Sequence, residues 1–435
     1  MPRHKKAKTR FPVFLLALVG LVCLISCKNC DRTASSPTVR QPARELTVEN
    51  PQAHPASTAP LAAATAGEPI IRVAVLKDAP AAHLTVGSAE ARVVGPTGQD
   101  IEHLPAGFEF DVSVTGRGLA INGSALNEAD IRIESTAPAI ALRLAGQEVA
   151  PTLRVTLTRA GVLNIVAQLR LEEYLCGVLA GEVPFDRWHA EALKAQAITS
   201  RSYAYYQMRK NSAEAYDVES TVMSQVFRSG YRNNPILTAA VNSTRGLILT
   251  NNGQPFSAYF HSTCGGHTDP SRSVFPDREA ARPFAPVTCG FCNQSPAYRW
   301  KLILDKRTLE QKLANQFSGA QHLAAVEFID VNNQPIGPEA GMLRRVGTVV
   351  LRKTDGSSSK IVANQFRLAV GAKDLKSMAF EQVVDRGAAI EFSGGGFGHG
   401  AGLCQWGSQG MAQAGYTHMQ ILGRYYAGAG VTRLY

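Results

Sequence analysis

A helix-spaced apolar stripe that ends in a carboxylate is the feature that most constrains how this chain folds. The stripe consists of Leu171, Tyr174, Leu175, Val178 and Leu179. The next position on the same helical face is Glu182. Pro184 then ends the helix, which leaves Glu182 at the exposed C-terminal end. Because an apolar wall disfavours the charged form of a carboxyl group, we expect the pKa of Glu182 to rise toward that of a general acid. The alternative is a glutamate of the last helical turn that rotates into solvent.

A second helix is predicted to pack closely against the first. Its proposed N-cap is Asp186, and an alanine-rich face follows. That face consists of Ala190, Leu193, Ala197, Arg201 and Ala204. Arg201 either anchors a carboxylate or extends its charged end into solvent, and contact with Glu182 would lower the pKa of that carboxyl. Glu172 and Glu173 lie off the apolar stripe and are predicted to be solvated.

Two short-spaced pairs of metal-ligating residues occur in the second half of the chain. Cys264 is followed by His267, and Cys289 is followed by Cys292. This layout is typical of a closed tetrahedral zinc site. A disulfide between Cys289 and Cys292 is the competing explanation, but it would leave Cys264 unexplained. We expect His267 to be the fourth zinc ligand, with His261 as the alternative.

Several separated motifs, in consistent order, resemble one known family. The segments LEEYLCGVLAGEVP and EALKAQAITSRSYA are similar to the signature of stage II sporulation protein D and the related LytB amidase enhancers. Further matching segments are Ser224–Phe227, Ala240–Thr268, Phe366–Gly371 and Gly394–Gly428, so the resemblance covers residues 155–435. It implies a secreted cell-wall protein that binds peptidoglycan glycan strands. The best-studied members are lytic transglycosylases, which cleave strands already stripped of their stem peptides.

The resemblance and the residue chemistry together suggest a mechanism with one carboxyl group. Glu182 would protonate the leaving glycosidic oxygen and then accept the proton of the muramyl 6-hydroxyl, without a second carboxylate nucleophile. The candidate substrate-binding residues are Arg201, Gln225, His261, Ser262, His399 and Gln405. Trp406 and Tyr425 are candidate stacking surfaces for a sugar ring or else core residues. The rival is a non-catalytic enhancer that holds glycan for a cell-wall amidase.

The resemblance also bears on metal binding. Members of the family bind zinc, although not all of them carry the cysteines found here. Cys404 lies in the C-terminal glycine-rich motif, where family members usually have serine. A zinc hydrolase is a weaker hypothesis, because three cysteines and one histidine would leave no open coordination position.

The N-terminal segment predicts an extracytoplasmic, membrane-anchored lipoprotein. Basic residues precede a short apolar run over residues 11–25, and Leu24–Cys27 resembles a bacterial lipobox with Cys27 as the lipidation site. A plain signal peptide or an uncleaved anchor is the alternative. Removing residues 1–26 takes away five basic and no acidic residues, which lowers the net charge from +10 to +5. That mildly basic surface suits an anionic cell wall and gives no support for nucleic-acid binding.

The order of the predicted elements indicates an α+β fold. Residues 27–68 are rich in Pro, Ala, Ser and Thr and are predicted to form a flexible linker. Residues 69–154 contain short β-type runs and are predicted to form an N-terminal β-rich lobe. Residues 155–435 are expected to form the family domain, with a helical catalytic hairpin packed on a mixed or antiparallel sheet.

Overall fold

A computed structural model describes residues 67–116, 118–137, 141–221, 224–275, 285–317 and 322–435. The predicted signal segment, the lipidation site at Cys27 and nearly all of the predicted linker lie outside these residues. The α+β prediction is confirmed, since helices pack on mixed and antiparallel sheets. Among the helices in the described ranges, none is long and apolar enough to cross a membrane.

The N-terminal part is built from two sheets that share one core. Its strands are β1 (Ile70–Ala79), β2 (Ala81–Thr85), β3 (Ala91–Val94), β4 (Asp100–Leu104), β5 (Glu109–Thr115), β6 (Gly118–Ile121), β7 (Ser124–Ala125), β8 (Asp130–Ser135), β9 (Leu142–Leu144), β10 (Gln147–Ala150), β11 (Thr152–Leu157) and β12 (Leu163–Arg170). A short strand, β13 (Val218–Glu219), joins β1 in parallel. The strand orders are β13-β1-β12-β11-β8-β3-β4 and β10-β9-β2-β5-β6-β7. The first sheet therefore continues to Arg170, and the predicted boundary after residue 154 falls inside β11.

A helical hairpin follows directly from β12 and packs on this sheet. Helix α1 (Leu171–Glu182) and helix α2 (Ala190–Lys210) are joined by a 3₁₀ turn at Phe185–Arg187. The five apolar residues of the predicted stripe are fully buried in the core that they share with the sheets. The predicted N-cap Asp186 is wrong, because the side chain of His189 accepts the hydrogen bond from the Glu191 N–H. Asp186 lies in the 3₁₀ turn instead.

A second core covers the opposite face of α2. Helices α3 (Pro235–Ser243) and α4 (Ser271–Val274) add buried residues to the first core. The second core includes residues in or next to four short strands: β14 (Leu247–Asn251), β15 (Gln254–Pro255), β16 (Phe260–His261) and, from the C-terminal region, β24 (Leu403–Cys404). Helices α7 (Gln405–Gln413) and α8 (His418–Tyr425) and strand β25 (Gly430–Arg433) complete it. Strands β16 and β24 pair in parallel, with His261 opposite Cys404. This pairing brings together two sequence motifs that lie far apart in the chain.

A third core, which sequence reasoning did not separate, lies between these motifs. It is built from β17 (Trp300–Asp305), α5 (Lys306–Ala314), β18 (Leu323–Asp330), β19 (Pro335–Ile336), β20 (Arg344–Lys353), β21 (Ser358–Val362), α6 (Ala363–Val370), β22 (Ala379–Asp385) and β23 (Ala389–Gly394). Edge-to-face contacts of Phe328 with Phe366, Phe380 and Phe392 fill its centre. This segment lies between Cys292 and Cys404 in the chain and has its own hydrophobic interior.

Candidate functional site

Glu182 is the last residue of α1, and its carboxylate is bound from a neighbouring segment. Its Oε1 accepts a hydrogen bond of 2.7 Å from the backbone N–H of Val226, and the Gln405 side chain lies beside it. Burial raises the pKa of Glu182 to about 7, against the lowering effects of the Val226 N–H and the Gln405 amide. The residue as a whole is only partly buried, although its carboxyl group is largely surrounded by protein.

Two glycines of α1 allow the Val226 segment to approach this closely. A Cβ atom on Gly181 would lie 2.3 Å from the Val226 carbonyl oxygen. A Cβ atom on Gly177, one turn earlier, would lie 2.4 Å from the Phe227 ring. Phe227 also stacks on Tyr174 of the same helix, with ring centroids 5.4 Å apart. The spacing of the two glycines inside an apolar helix is a signal that the sequence contained and that our reading missed.

Arg201 does not contact Glu182 and lies in the interior with another carboxylate. Its Nη2 lies 2.6 Å from Glu172 Oε2, and its Nε donates to Oε1 at 3.0 Å. The Arg201 side chain is 0% exposed and that of Glu172 is 6% exposed. The prediction that Glu172 is solvated is wrong, because this face of α1 meets α2 and α3 rather than water. A guanidinium in this position cannot contact a glycan without leaving its partner, so Arg201 has a structural role and not the predicted substrate-binding one.

Gln225 is also a buried structural residue. Its Oε1 accepts from the Tyr174 hydroxyl at 3.0 Å, and its Nε2 donates to the Ser200 carbonyl at 3.3 Å. The side chain is fully buried, and both ends of its amide are engaged. The prediction that Gln225 contacts a sugar is therefore wrong. Its hydrogen bonds hold the segment that carries the Val226 N–H against α1 and α2.

His261, Ser262 and His399 come together at the pairing of β16 and β24. His261 Nδ1 donates to the Ala401 carbonyl at 3.0 Å, while His399 Nδ1 accepts from the Ala401 N–H at 3.2 Å. The two rings have centroids 5.6 Å apart. Burial lowers the pKa of His261 to about 3 and that of His399 well below its usual value, so both rings are neutral at physiological pH. Ser262 is partly buried, and its carbonyl accepts from the Trp406 N–H.

Two aromatic pairs flank the end of α1. Trp188 meets Trp406 edge to face at 5.9 Å, and Phe185 meets Tyr231 edge to face at 5.7 Å. The first member of each pair belongs to the short connector that follows Glu182, and all four rings are partly buried. Sequence reasoning named Trp406 but missed the other three.

Tyr425, the other predicted stacking residue, belongs to the core. It is 2% exposed, and its hydroxyl lies 3.1 Å from the Cys289 sulfur.

Four cysteines form a compact cluster beside this site. The Sγ atoms of Cys264, Cys289, Cys292 and Cys404 all lie within 4.8 Å of one another, and all four residues are buried. None of the cysteines in the described ranges forms a disulfide, so the structure does not contain the alternative Cys289–Cys292 bond.

The predicted fourth ligand is wrong, because Cys404 completes the set. His267 is 40% exposed and directs its Nε2 toward Asp269 at 3.9 Å. His261, the alternative, is bound to the Ala401 carbonyl. Sequence spacing could not identify Cys404, since only the pairing of β16 with β24 places it against Cys264.

The donor set and its surroundings fit a tetrahedral metal ion. Four thiolates around zinc at about 2.3 Å would lie roughly 3.8 Å apart, close to the observed spread. Backbone N–H groups of Gly266 and Gly407 donate to the sulfurs of Cys264 and Cys404, as is common around metal thiolates. A Cβ atom on Gly407 would lie 2.6 Å from Cys289 Sγ, so only glycine fits against the cluster there. Cys404 immediately precedes Gln405, which links the cluster to Glu182.

Comparison with known proteins assigns the chain to a family. A family model described as SpoIID, stage II sporulation protein, matches residues 159–251, which include Glu182. Stage II sporulation protein D of Bacillus subtilis (strain 168) is 30% identical over 325 residues, which cover 70% of this chain and 88% of that protein. The chain belongs to the SpoIID/LytB family.

Other relatives have different names. An uncharacterised protein of Brachyspira hyodysenteriae is 34% identical over 270 residues, which cover 61% of this chain and 68% of the relative. The amidase enhancer of Bacillus subtilis (strain 168) is 26% identical over 296 residues, which cover 59% of this chain and 40% of the relative. The predicted family is thus confirmed, and the relatives' names include both a sporulation protein and an enhancer.

Proposed function

We propose that this SpoIID/LytB-family protein is a peptidoglycan lytic transglycosylase in which Glu182 is the only acid/base. The observation that carries the proposal is a buried carboxyl group whose pKa lies at about 7. Burial is the largest cause of that shift, and it outweighs the lowering by the Val226 N–H and the Gln405 amide. Trp188, in the connector that follows Glu182, and Trp406, next to Gln405, provide a surface on which a sugar ring can stack.

The reaction needs one proton to be donated and one to be accepted. Protonated Glu182 donates its proton to the glycosidic oxygen as the bond from that oxygen to the muramyl C1 breaks. The resulting carboxylate then accepts the proton of the 6-hydroxyl as this oxygen attacks C1 and forms a 1,6-anhydro ring. The Val226 N–H and the Gln405 amide stabilise the carboxylate between the two steps. A pKa of about 7 suits a group that must exchange a proton in both directions.

Denuded glycan is the proposed substrate, and His261, Ser262, His399 and Gln405 are its proposed contacts. Gln405 has the best support, because its side chain lies beside Glu182. The histidines are neutral, so they would recognise hydroxyl and N-acetyl groups rather than a charge.

A non-catalytic role is the second candidate. The relative named amidase enhancer favours it, and in that role this protein would bind glycan and present it to a cell-wall amidase. The aromatic rings would serve either role, whereas a carboxyl group with a pKa of about 7 is what a general acid/base requires.

The proposal includes a structural zinc ion held by Cys264, Cys289, Cys292 and Cys404. Their four buried sulfurs support it, since such a site is closed and leaves no position for a catalytic water. When bound, the ion would cross-link the segments that carry His261 and Gln405. This role concerns stability and positioning rather than the chemical step.

The proposed location is the cell envelope, outside the cytoplasm, with a lipid anchor at Cys27. The support is the lipobox-like sequence at Leu24–Cys27 together with the sporulation and amidase-enhancer names of the relatives. No partner other than glycan strands, a cell-wall amidase and the membrane is proposed.

Product analysis by mass spectrometry of purified denuded strands tests the function. The wild-type protein should produce 1,6-anhydro-muramyl ends, and Glu182→Gln should reduce their formation by ~10²–10⁴-fold while glycan binding persists. Glu173→Gln is the matched control, because Glu173 lies on the same helix but pairs with Arg170 at the surface. Binding without any anhydro product from the wild type would favour the enhancer role.

A further inference from the structure

A groove lies on the far side of the segment that binds Glu182. It has a volume of about 450 Å³, within the range of small-molecule sites. One wall comes from the N-terminal sheets and the other from the segment that follows β13. Its lining includes Gln147, Ser220, Phe227, Arg228, Ser229 and Tyr231.

The groove is joined to the candidate active site through its second wall. Val226, which donates to Glu182, is followed at once by Phe227 and Arg228 of the groove. At the other end, Tyr231 contacts Phe185, which lies three residues after Glu182. A polymer bound across Glu182 can therefore continue over the Phe185–Tyr231 pair into the groove.

The polar groups of the lining suit a carbohydrate. Tyr231 offers an aromatic ring, while Gln147, Ser220 and Ser229 offer amide and hydroxyl groups. Such a mixture of aromatic surface and several neutral hydrogen-bonding groups matches a sugar, which has an apolar ring face and polar edges.

Arg228 supplies one cationic group to this lining. It is exposed and forms no ion pair within the part of the chain that the structure describes. The nearby acidic groups are already engaged, since Glu148 pairs with Arg143 and Glu173 pairs with Arg170. The groove thus presents an unmatched positive charge to an anionic ligand.

We propose that this groove is a remote subsite for the same denuded glycan strand, with Tyr231 stacking on a sugar and Arg228 binding a carboxylate. The inference rests on the proposed function for its substrate. Removing the stem peptide leaves a free lactyl carboxylate on each muramyl residue, which gives Arg228 a partner that a peptide-bearing strand lacks. The N-terminal lobe then takes part in recognition, and long strands bind better than short ones.

Binding measurements with denuded strands of defined lengths test the subsite in the full-length protein. Glu182→Gln serves as the background, so that strands are bound but not cut. Tyr231→Ala and Arg228→Gln should each weaken binding of long strands by about three- to tenfold, with a smaller loss for short strands. Tyr231→Phe, which keeps the ring, should restore long-strand binding. Arg159→Gln, which removes an exposed charge from the turn between β11 and β12, is the charge-matched control.

The same two substitutions, Tyr231→Ala and Arg228→Gln, should raise KM for long strands when they are made in the protein that keeps Glu182. If the variants lose equal binding affinity for strands of every length, or lose none, the subsite proposal is overturned. If the wild type binds strands with this length dependence but never cuts them, the transglycosylase proposal fails while the subsite stands. If the wild type cuts strands and the variants keep its length dependence, the subsite alone fails. Failure of Glu182→Gln to bind strands of any length would overturn the subsite as well.

Discussion

At the scale of single residues, the chemistry of Glu182 depends on its burial. Its pKa rises to about 7 because protein surrounds the carboxyl group, and this effect exceeds the lowering by the Val226 N–H and the Gln405 amide. Sequence spacing predicted the rise, because Glu182 continues an apolar stripe. Spacing could not predict the partner of Arg201, since a helical face does not reveal which other helix covers it.

The raised pKa predicts a pH-dependent effect on stability. The folded state favours protonated Glu182, so its contribution to stability is fully present below the ordinary pKa of 4.5 and is lost as the pH rises through about 7. At higher pH the folded state must hold a charged carboxylate in a buried position, which costs free energy. Glu182→Gln removes this cost and should increase the free energy of unfolding at pH 8 by up to ~3 kcal/mol. At pH 4 the gain should be near zero. Denaturant unfolding at both pH values measures it, and an equal effect at the two would contradict the shifted pKa.

At the scale of secondary-structure elements, α1 both carries the carboxyl group and holds the segment that binds it. Gly177 and Gly181 bring the backbone of Val226 and Phe227 directly onto the helix. The helix itself, its end and its buried face were predictable from apolar spacing. The docked segment was not, because its contacts span more than 40 residues of sequence.

Gly181→Ala tests whether this docking controls the acid. Alanine in a helix normally gains about 1 kcal/mol over glycine, but a Cβ atom 2.3 Å from the Val226 oxygen forces the segment away. We expect lower stability, lower activity and a further rise in the pKa of Glu182, because the Val226 N–H that lowers it is displaced. The pH–rate profile and thermal melting measure these effects. Gly341→Ala, where a Cβ atom meets open space, is the control. Identical behaviour of the two variants would contradict control of Glu182 by the docked segment.

At the scale of the whole molecule, the described residues form three hydrophobic cores. The α+β class was predictable from the order of the elements, but the separate core between Cys292 and Cys404 was not, because apolar patterning does not show which strands share a core. The length of this segment also hides Cys404 from any argument based on spacing. Three of the four clustered cysteines were nevertheless identified from sequence.

Metal analysis of variants distinguishes a site completed by Cys404 from one completed by His267, the ligand that sequence spacing predicted. Cys404→Ser should release zinc and lower the melting temperature, since structural zinc contributes directly to folding. Activity should fall with it, because Gln405 is the next residue. His267→Ala should keep the metal, as should Cys176→Ala, whose thiol lies outside the cluster. Elemental analysis showing zinc in Cys404→Ser and none in His267→Ala would restore the histidine as ligand.

The pH dependence of kcat/KM for release of 1,6-anhydro ends tests the central claim most directly. Glu182 must be protonated to start the reaction, so kcat/KM should fall about tenfold per pH unit above a pKa of about 7. The control variant Glu173→Gln should show the same basic limb. A rate that stays constant from pH 6 to pH 9, or a basic limb that remains in Glu182→Gln, would contradict Glu182 as the acid.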